Sequence, residues 1–276
     1  MSAVQYVTNP QKVLPSAADS ASCTASGTAW TNGNWAVISS SAPTAGVLTG
    51  IAISTNADTQ KIQFEIDIGV GSAGNEVVIA TFKGSNMDVI GTSENLTYTL
   101  PIGIDGWSAF DRIVARVRVG NTTASVWTVA ITYYTPPING RFQTTVNPLQ
   151  CLPSNSTGLI LGTGGSAWVN GSYQALSSAL PTKIAIVGLA VRCWAQNGDY
   201  QSEFDLATGS AGNEVVFCTF KFEEGDFFST PGFAQLMVPI EVASGARLTA
   251  RARDSADFPY NNQTYSFSIM YIAMPF

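Results

Sequence analysis

The chain has 276 residues, of which 45% are hydrophobic and only 12% charged, with a formal net charge of −6 and no histidine. That is a globular composition with a neutral, Ser/Thr/Asn/Gln/Gly-rich surface; disorder requires less apolar and more charged sequence. No basic block exists, so nucleic acid is not an expected partner, and no apolar run approaches the roughly 20 residues of a membrane-spanning helix; the longest, IAIVGLAV, covers 184–191.

Residues 1–22 contain Pro10, Pro15 and a lone Lys12 without an apolar block, so a secretion leader is not expected and synthesis in a cytoplasm is. Strand candidates follow at 34–39 and 46–55. At 60–69, QKIQFEIDIG alternates: Ile62, Phe64, Ile66 and Ile68 face one way, Gln63, Glu65 and Asp67 the other. Period two over such a length predicts a half-buried strand. After Val70, GSAGNE at 71–76 forms a turn in which Gly71, Gly74 and Asn75 supply positive φ. Glu76 is placed to bond backbone amides or a nearby Arg. A phosphate-cradling loop is the weaker reading, because a P-loop needs Lys-Ser/Thr opening a helix and a Val-Val strand follows here. Strands are predicted at 76–83 and 95–100. Trp107 then sits in the Gly-rich stretch GIDGWSAF and is the candidate exposed contact of the aromatic kind used on sugars. At 112–119, RIVARVRV puts Ile113, Ala115, Val117 and Val119 on one face and Arg116 and Arg118 on the other; a last strand is predicted at 125–134.

The whole series then recurs. GSAGNEVVIATFK at 71–83 returns as GSAGNEVVFCTFK at 209–221, eleven of thirteen positions identical, and NPQKVLPS at 9–16 returns as NPLQCLPS at 147–154. Both keep an offset of 138; ARVR at 115–118 returns as ARAR at 250–253, three residues short of it. This is one domain duplicated. The seam falls in TPPINGRF at 135–142, which gives copies at 1–137 and 138–276, each expected to fold largely by itself. Seven to nine short strands per copy and no 3.6-residue period predict an all-β chain of two tandem homologous β-sandwich, jelly-roll-like domains.

Charge is scarce, yet Glu65 and Asp67 return as Glu203 and Asp205, and Arg116 and Arg118 as Arg251 and Arg253. Residues at i and i+2 share a sheet face, so adjacent strands would carry an outward ladder of Arg–carboxylate pairs that fixes register. A carboxylate pair with an Arg clamp for hydrolysis is the competing reading, but flat alternating positions do not build a cleft. The second turn comprises Gly209, Gly212, Asn213 and Glu214. Trp30 matches Trp168, and Trp35 matches Tyr173; these are read as core and inter-sheet packing. Of the four cysteines, Cys193 and Cys218 fall in neighbouring predicted strands, where a bridge is geometrically open; Cys23 and Cys151 are read as buried apolar residues. Without His or a CxxC pair, neither a zinc site nor a Ser-His-Asp triad is expected. No catalytic residue, cofactor or metal ligand is assigned, and the chain is read as a non-enzyme.

FEIDIGVGSAGNEVVIATF followed by LPIGIDGWSAFDRIVARVRV resembles a module of tailed-bacteriophage virion proteins: a strand ending in DIG, a GxxGxE turn, a VVIA strand, then IPxGxRIxxR. The first copy matches through Asp67, Ile68, Gly69, Gly71, Gly74, Glu76, Arg112, Ile113 and Arg116. The second matches through Asp205, Gly209, Gly212, Glu214, Gly245, Arg247, Leu248 and Arg251, and departs at Ala207. The resemblance implies residence in a virion, not a position on it; the first reading is a head decoration or collar/neck accessory docked on capsid, portal, neck or tail proteins. Virion proteins are commonly symmetric oligomers, so a homo-oligomer, a trimer above all, is expected. The alternatives are a carbohydrate-binding adhesin or receptor-binding protein, and a double jelly-roll capsid protein.

Overall fold

The computed structural model describes residues 11–16, 20–55, 62–85, 94–122, 124–136, 144–154, 156–193, 200–224, 233–255 and 264–274. The first copy supplies β1 (Lys12–Leu14), β2 (Ala21–Thr24), β3 (Ala36–Ser39), β4 (Gly46–Thr55), β5 (Gln63–Val70), β6 (Val77–Ser85), β7 (Glu94–Trp107), β8 (Ile113–Val119) and β9 (Val126–Tyr134). A short β10 (Thr144–Thr145) precedes the second set: β11 (Leu149–Leu152), β12 (Leu159–Gly162), β13 (Gln174–Ser177), β14 (Ile184–Cys193) and β15 (Tyr200–Thr208). It ends with β16 (Val215–Glu224), β17 (Phe233–Val242), β18 (Leu248–Asp254) and β19 (Thr264–Ala273). The described residues are all-β and contain no helix.

Each copy is a long antiparallel hairpin rolled on itself. In the first, β2 pairs with β9, β3 with β8, β4 with β7 and β5 with β6. The roll closes where β4 meets β9 and β5 meets β8, giving sheets β2-β9-β4-β7 and β3-β8-β5-β6. That is jelly-roll order. The second copy repeats it through β12·β19, β13·β18, β14·β17 and β15·β16, closed by β14·β19 and β15·β18. The predicted strand at 95–100 runs on to Trp107 through Pro101, which lacks a ladder donor; the chain tolerates it at the register shift between Gly50↔Thr99 and Leu48↔Ile104.

The copies are joined more closely than their repeated sequences suggest. β11 pairs antiparallel with β19 along its whole length, and Leu149 also pairs in parallel with Ala80 of β6. One sheet therefore runs across the boundary in the order β17-β14-β19-β11-β6-β5-β8-β3. The core follows the same path. Leu149, Cys151, Val187, Met270 and Ile272 of the second copy belong to the apolar cluster built around Phe64, Ile66, Phe82 and Trp127 of the first. They plug the flank of the first roll between β6 and β7, where Phe82, Tyr98, Leu100 and Ile102 are buried. A second cluster, around Phe204, Tyr265 and Phe267, fills the other roll.

Candidate functional site: a paired-charge ladder at the joint

Strand β5 presents Glu65 and Asp67 on the face away from its Ile-Phe-Ile core side. Register places Glu65 between Arg118 on β8 and Lys83 on β6, and Asp67 between Arg116 and Thr81. Arg118 reaches both carboxylates at 2.6 Å, Arg116 donates to Asp67 at 2.9 Å, and Lys83 meets Glu65 at 3.0 Å. Thr81 donates to Asp67 at 2.8 Å, and Arg118 also donates to Asn32 Oδ1 at 2.8 Å. All four carboxylate oxygens therefore have a donor. Burial pulls the Arg118 guanidinium down, but the bonds and charges of Asp67 and Glu65 outweigh it and hold it above its ordinary value.

The second copy builds the same ladder. Arg253 meets Glu203 at 2.6 Å and Asp205 at 3.0 Å, Arg251 meets Asp205 at 2.8 Å, and Thr219 donates to Asp205 at 2.6 Å. Burial pushes the Asp205 carboxyl up, yet the bonds from Thr219 and Arg251 prevail and leave it below its usual range.

The two ladders differ in cover. In the second copy the side chains of Glu203 and Lys221 are 21% and 48% exposed and 3.9 Å apart. In the first, Glu65 and Lys83 are 0% and 1% exposed. The cause is the joint: Lys83 Nζ donates to the carbonyls of Pro153 and Ser156 at 2.9 Å each, and Cys151 Sγ donates to the Thr81 carbonyl. The expected outward, exposed ladder is thus correct in geometry but not in environment for the first copy. The flat surface there becomes one wall of a cleft of about 350 Å³, lined by Asn32, Asp67, Arg116 and Arg118 on one side and by Gln150 and Tyr271 on the other.

The matched aromatics lie over the ladders and not in the core as expected. Arg116 stacks on Trp35 at 4.3 Å and Arg251 on Tyr173 at 4.5 Å, while Lys83 and Lys221 sit 5.2 Å from Trp30 and Trp168. Trp107, expected as an exposed contact, is only 7% exposed. Its ring packs on Tyr133, and its Nε1 donates to the Thr44 carbonyl at 3.1 Å. The Gly-rich stretch that suggested a loop is the bulged end of β7, and Gly46 on the paired strand makes room for the indole.

The repeated turns are built alike. Gly71 and Gly209 have φ of 129° and 128°, Gly74 and Gly212 of 86° and 81°. Glu76 accepts from the Gly74 amide at 3.0 Å and pairs with Arg112 at 2.8 Å; Glu214 does the same with Gly212 at 2.9 Å and Arg247 at 2.8 Å. Asn75, expected to supply positive φ, does not; it and Asn213 instead bond Ser72 and Ser210 through their side chains within the turn. The Arg bonds hold both glutamates below the ordinary carboxylate range. These are shaped connections locked by an ion pair.

Cys23, Cys151 and Cys218 are free thiols. Burial pushes Cys23 up to about 12. Strands β14 and β16, which carry Cys193 and Cys218, lie in different sheets and are not the neighbours the sequence suggested; the Cys193 side chain is outside the described residues. Among the described residues, no cluster of His, Cys, Asp and Glu could hold a metal ion.

No protein-family model matches the chain, and neither does any curated protein. Among solved structures it is similar to PNGase F, a glycosylasparaginase from Flavobacterium meningosepticum, at TM-score 0.39 and 10% identity, covering 96% of each chain. It is also similar to PNGF-II at TM-score 0.38 and 9% identity, covering 99% of this chain and 65% of that one. The Macrobrachium rosenbergii nodavirus follows at TM-score 0.24 and 9% identity, covering 99% of this chain and 92% of that one. At these scores the likenesses carry no functional argument.

Proposed function

We propose that the chain is a non-enzymatic structural protein of a virion, a head decoration or collar/neck accessory that docks on other virion proteins through its two jelly rolls. The observation that supports this reading is how the ladder is used. In the first copy its carboxylates are saturated by Arg, Lys and Thr donors, which does not suit either of them to acid–base chemistry, and there it serves to seat another jelly roll. A module whose most elaborate polar surface is spent on packing against its own duplicate suits assembly. The chain acts as a homo-oligomer, with a trimer favoured because three tandem pairs present six similar domains. The adhesin reading loses its named contact now that Trp107 is buried.

Quantitative mass spectrometry of purified particles, with antibody labelling in electron micrographs, tests the proposal. A constant copy number per particle below that of the shell protein is expected, low for a collar or neck position and higher for a head decoration. Absence from washed particles would refute a virion role, and a dominant band would assign the chain to the capsid shell instead.

A further inference from the structure

The joint within the chain has two halves whose counterparts recur in the same chain and are largely uncovered, although Gln235 of β17 already accepts from the Thr99 amide of β7 at 3.0 Å. Its receiving half is the flank between β6 and β7; its plug is β11 with the outward residues of β14 and β19. The counterpart of the receiving half is the flank between β16 and β17. There, β16 ends its sheet among the described residues. Phe82 is fully buried, but its counterpart Phe220 is only partly so; Leu100 is 6% exposed, but its counterpart Val238 is 74% exposed, beside Met237 at 88%. Leu236, Ile240 and Phe222 are likewise only partly buried against their core. The counterpart of the plug is β1, which among the described residues pairs only with β9. Val13 on it is 50% exposed where the matching Cys151 is 5% exposed.

We propose that a second copy of this chain covers the β16–β17 flank with its own β1 edge, in the register of the internal joint. Continuity with that joint argues for this occupant. The receiving ladder has the same composition in both copies, and Lys221, 3.9 Å from Glu203, lacks the carbonyl acceptors that Lys83 finds at Pro153 and Ser156. In the proposed contact the carbonyl of Pro15 on the neighbouring chain takes the place of that of Pro153. The interface is heterologous, with different surfaces meeting, so repetition closes a ring or extends a filament. It is weaker than the internal joint for two reasons. The internal plug is tethered and so has a high effective concentration. The outer plug also replaces Leu149, Val187 and Met270 with Gln11, Thr49 and Thr132, which bond one another, and Thr49 is already buried beneath its own chain, so the contact rests on Gln11 and Val13. Association is therefore reversible and concentration-dependent. This self-docking surface stands apart from the virion reading and does not need it.

The register gives the test. Leu149 pairs with Ala80 inside the chain, so Gln11 of one copy should pair with the native Cys218 of the next. Residues paired across neighbouring strands lie about 5 Å apart, within the Cα separation of about 4.4–6.8 Å that a disulfide needs. Purified full-length Gln11→Cys, treated with diamide at high protein concentration, is expected to give dimers and higher multimers on non-reducing gels. Mass spectrometry should find a disulfide joining the thiol introduced at position 11 to Cys218, and the multimers should vanish in Gln11→Cys/Cys218→Ser. Phe110→Cys, at an exposed position off both surfaces, should give no comparable multimers. Separately, Met237→Glu/Val238→Glu should reduce association by light scattering at least several-fold without lowering the unfolding temperature. A Gln11→Cys chain that yields no link from position 11 to Cys218, or association untouched by the Glu pair, overturns the proposal. So would a wild-type chain that stays monomeric at every concentration.

Discussion

Lys83 and Lys221 occupy the same place in the repeated motif, and their removal should have very different consequences. Lys83→Met keeps most of the buried volume and deletes the ammonium from a site 1% exposed. Glu65 loses one partner but keeps Arg118 at 2.6 Å, while two partly buried carbonyls, those of Pro153 and Ser156, lose their donor. Breaking a buried pair in this way costs about 3–5 kcal/mol, and a bond to a charged donor contributes about 1.5–3 kcal/mol. The terms overlap, so the whole loss should lie near 3–5 kcal/mol. Lys221→Met removes a half-exposed ammonium 3.9 Å from its carboxylate, which should cost about 0–1 kcal/mol. Urea unfolding of the full chain, followed by tryptophan fluorescence and circular dichroism together, measures both; two probes are needed because two rolls need not unfold as one unit. The Lys83 variant should also become sensitive to proteolysis near 153–157, where the joint opens. Equal losses for the two variants, or a Lys83 loss below about 1 kcal/mol, would refute the claim that the joint converts an ordinary surface ladder into a buried one.

The turn glycines should separate by local geometry. A Cβ on Gly71 would lie 2.6 Å from the Asn75 carbonyl oxygen at a φ of +129°, whereas one on Gly74 would meet nothing within 4 Å. Gly71→Ala should then cost about 1–3 kcal/mol and Gly74→Ala only about 1 kcal/mol, read from denaturation midpoints. Trp107→Ala should lose about 3–5 kcal/mol as a core truncation while leaving glycan-array signals unchanged; an unaltered midpoint would return Trp107 to the surface. Acid should destabilise the chain. Glu76, Glu214 and Asp205 have folded pKa values below their ordinary ones, so the unfolded chain takes up protons first. The stabilisation is complete above the ordinary carboxylate range and is lost as pH falls from roughly 4.5 toward 2. Unfolding temperature against pH should fall there, less steeply in Arg112→Met/Arg247→Met; a slope unchanged by that double substitution would exclude the turn ion pairs as its source.

Much of the fold is readable locally because strand and turn are local phenomena. The alternation of 60–69 and 112–119 gives strands whose bounds shift by only a few residues in the structure, and the Arg–carboxylate register follows once the two are neighbours. The short β1 and β2 escape notice because three or four residues carry too little periodicity, yet β11, the counterpart of β1, makes the joint. Burial of Glu65 and Lys83 is a property of the second copy's placement, which no window of the first copy contains. Trp107 misleads for a related reason: Gly103 and Gly106 mark a bulge in a strand as readily as a loop. Asn32, Thr81 and Lys83 complete the ladder and could have been found, since each returns at the same offset as Asn170, Thr219 and Lys221. The ladder partners were therefore visible as a repeat before they were visible as contacts.

The unequal cover of the two ladders bears on why both persist. An exposed ion ladder contributes little to stability, about 0.2–1 kcal/mol per pair, and surface substitutions away from special features are close to neutral. A second copy whose ladder did nothing beyond that could have exchanged its charged residues at small physical cost. Instead Glu203, Asp205, Arg251, Arg253, Lys221, Thr219 and Asn170 reproduce every side chain of the covered ladder, and Trp168 repeats the ring beside the lysine. The plug has diverged where the ladder has not: Gln11, Thr49 and Thr132 stand where the second copy has Leu149, Val187 and Met270. A permanent joint inside one chain favours an apolar plug; a joint that must also be soluble before it forms favours a polar one. The ladder, present in both settings, is kept the same.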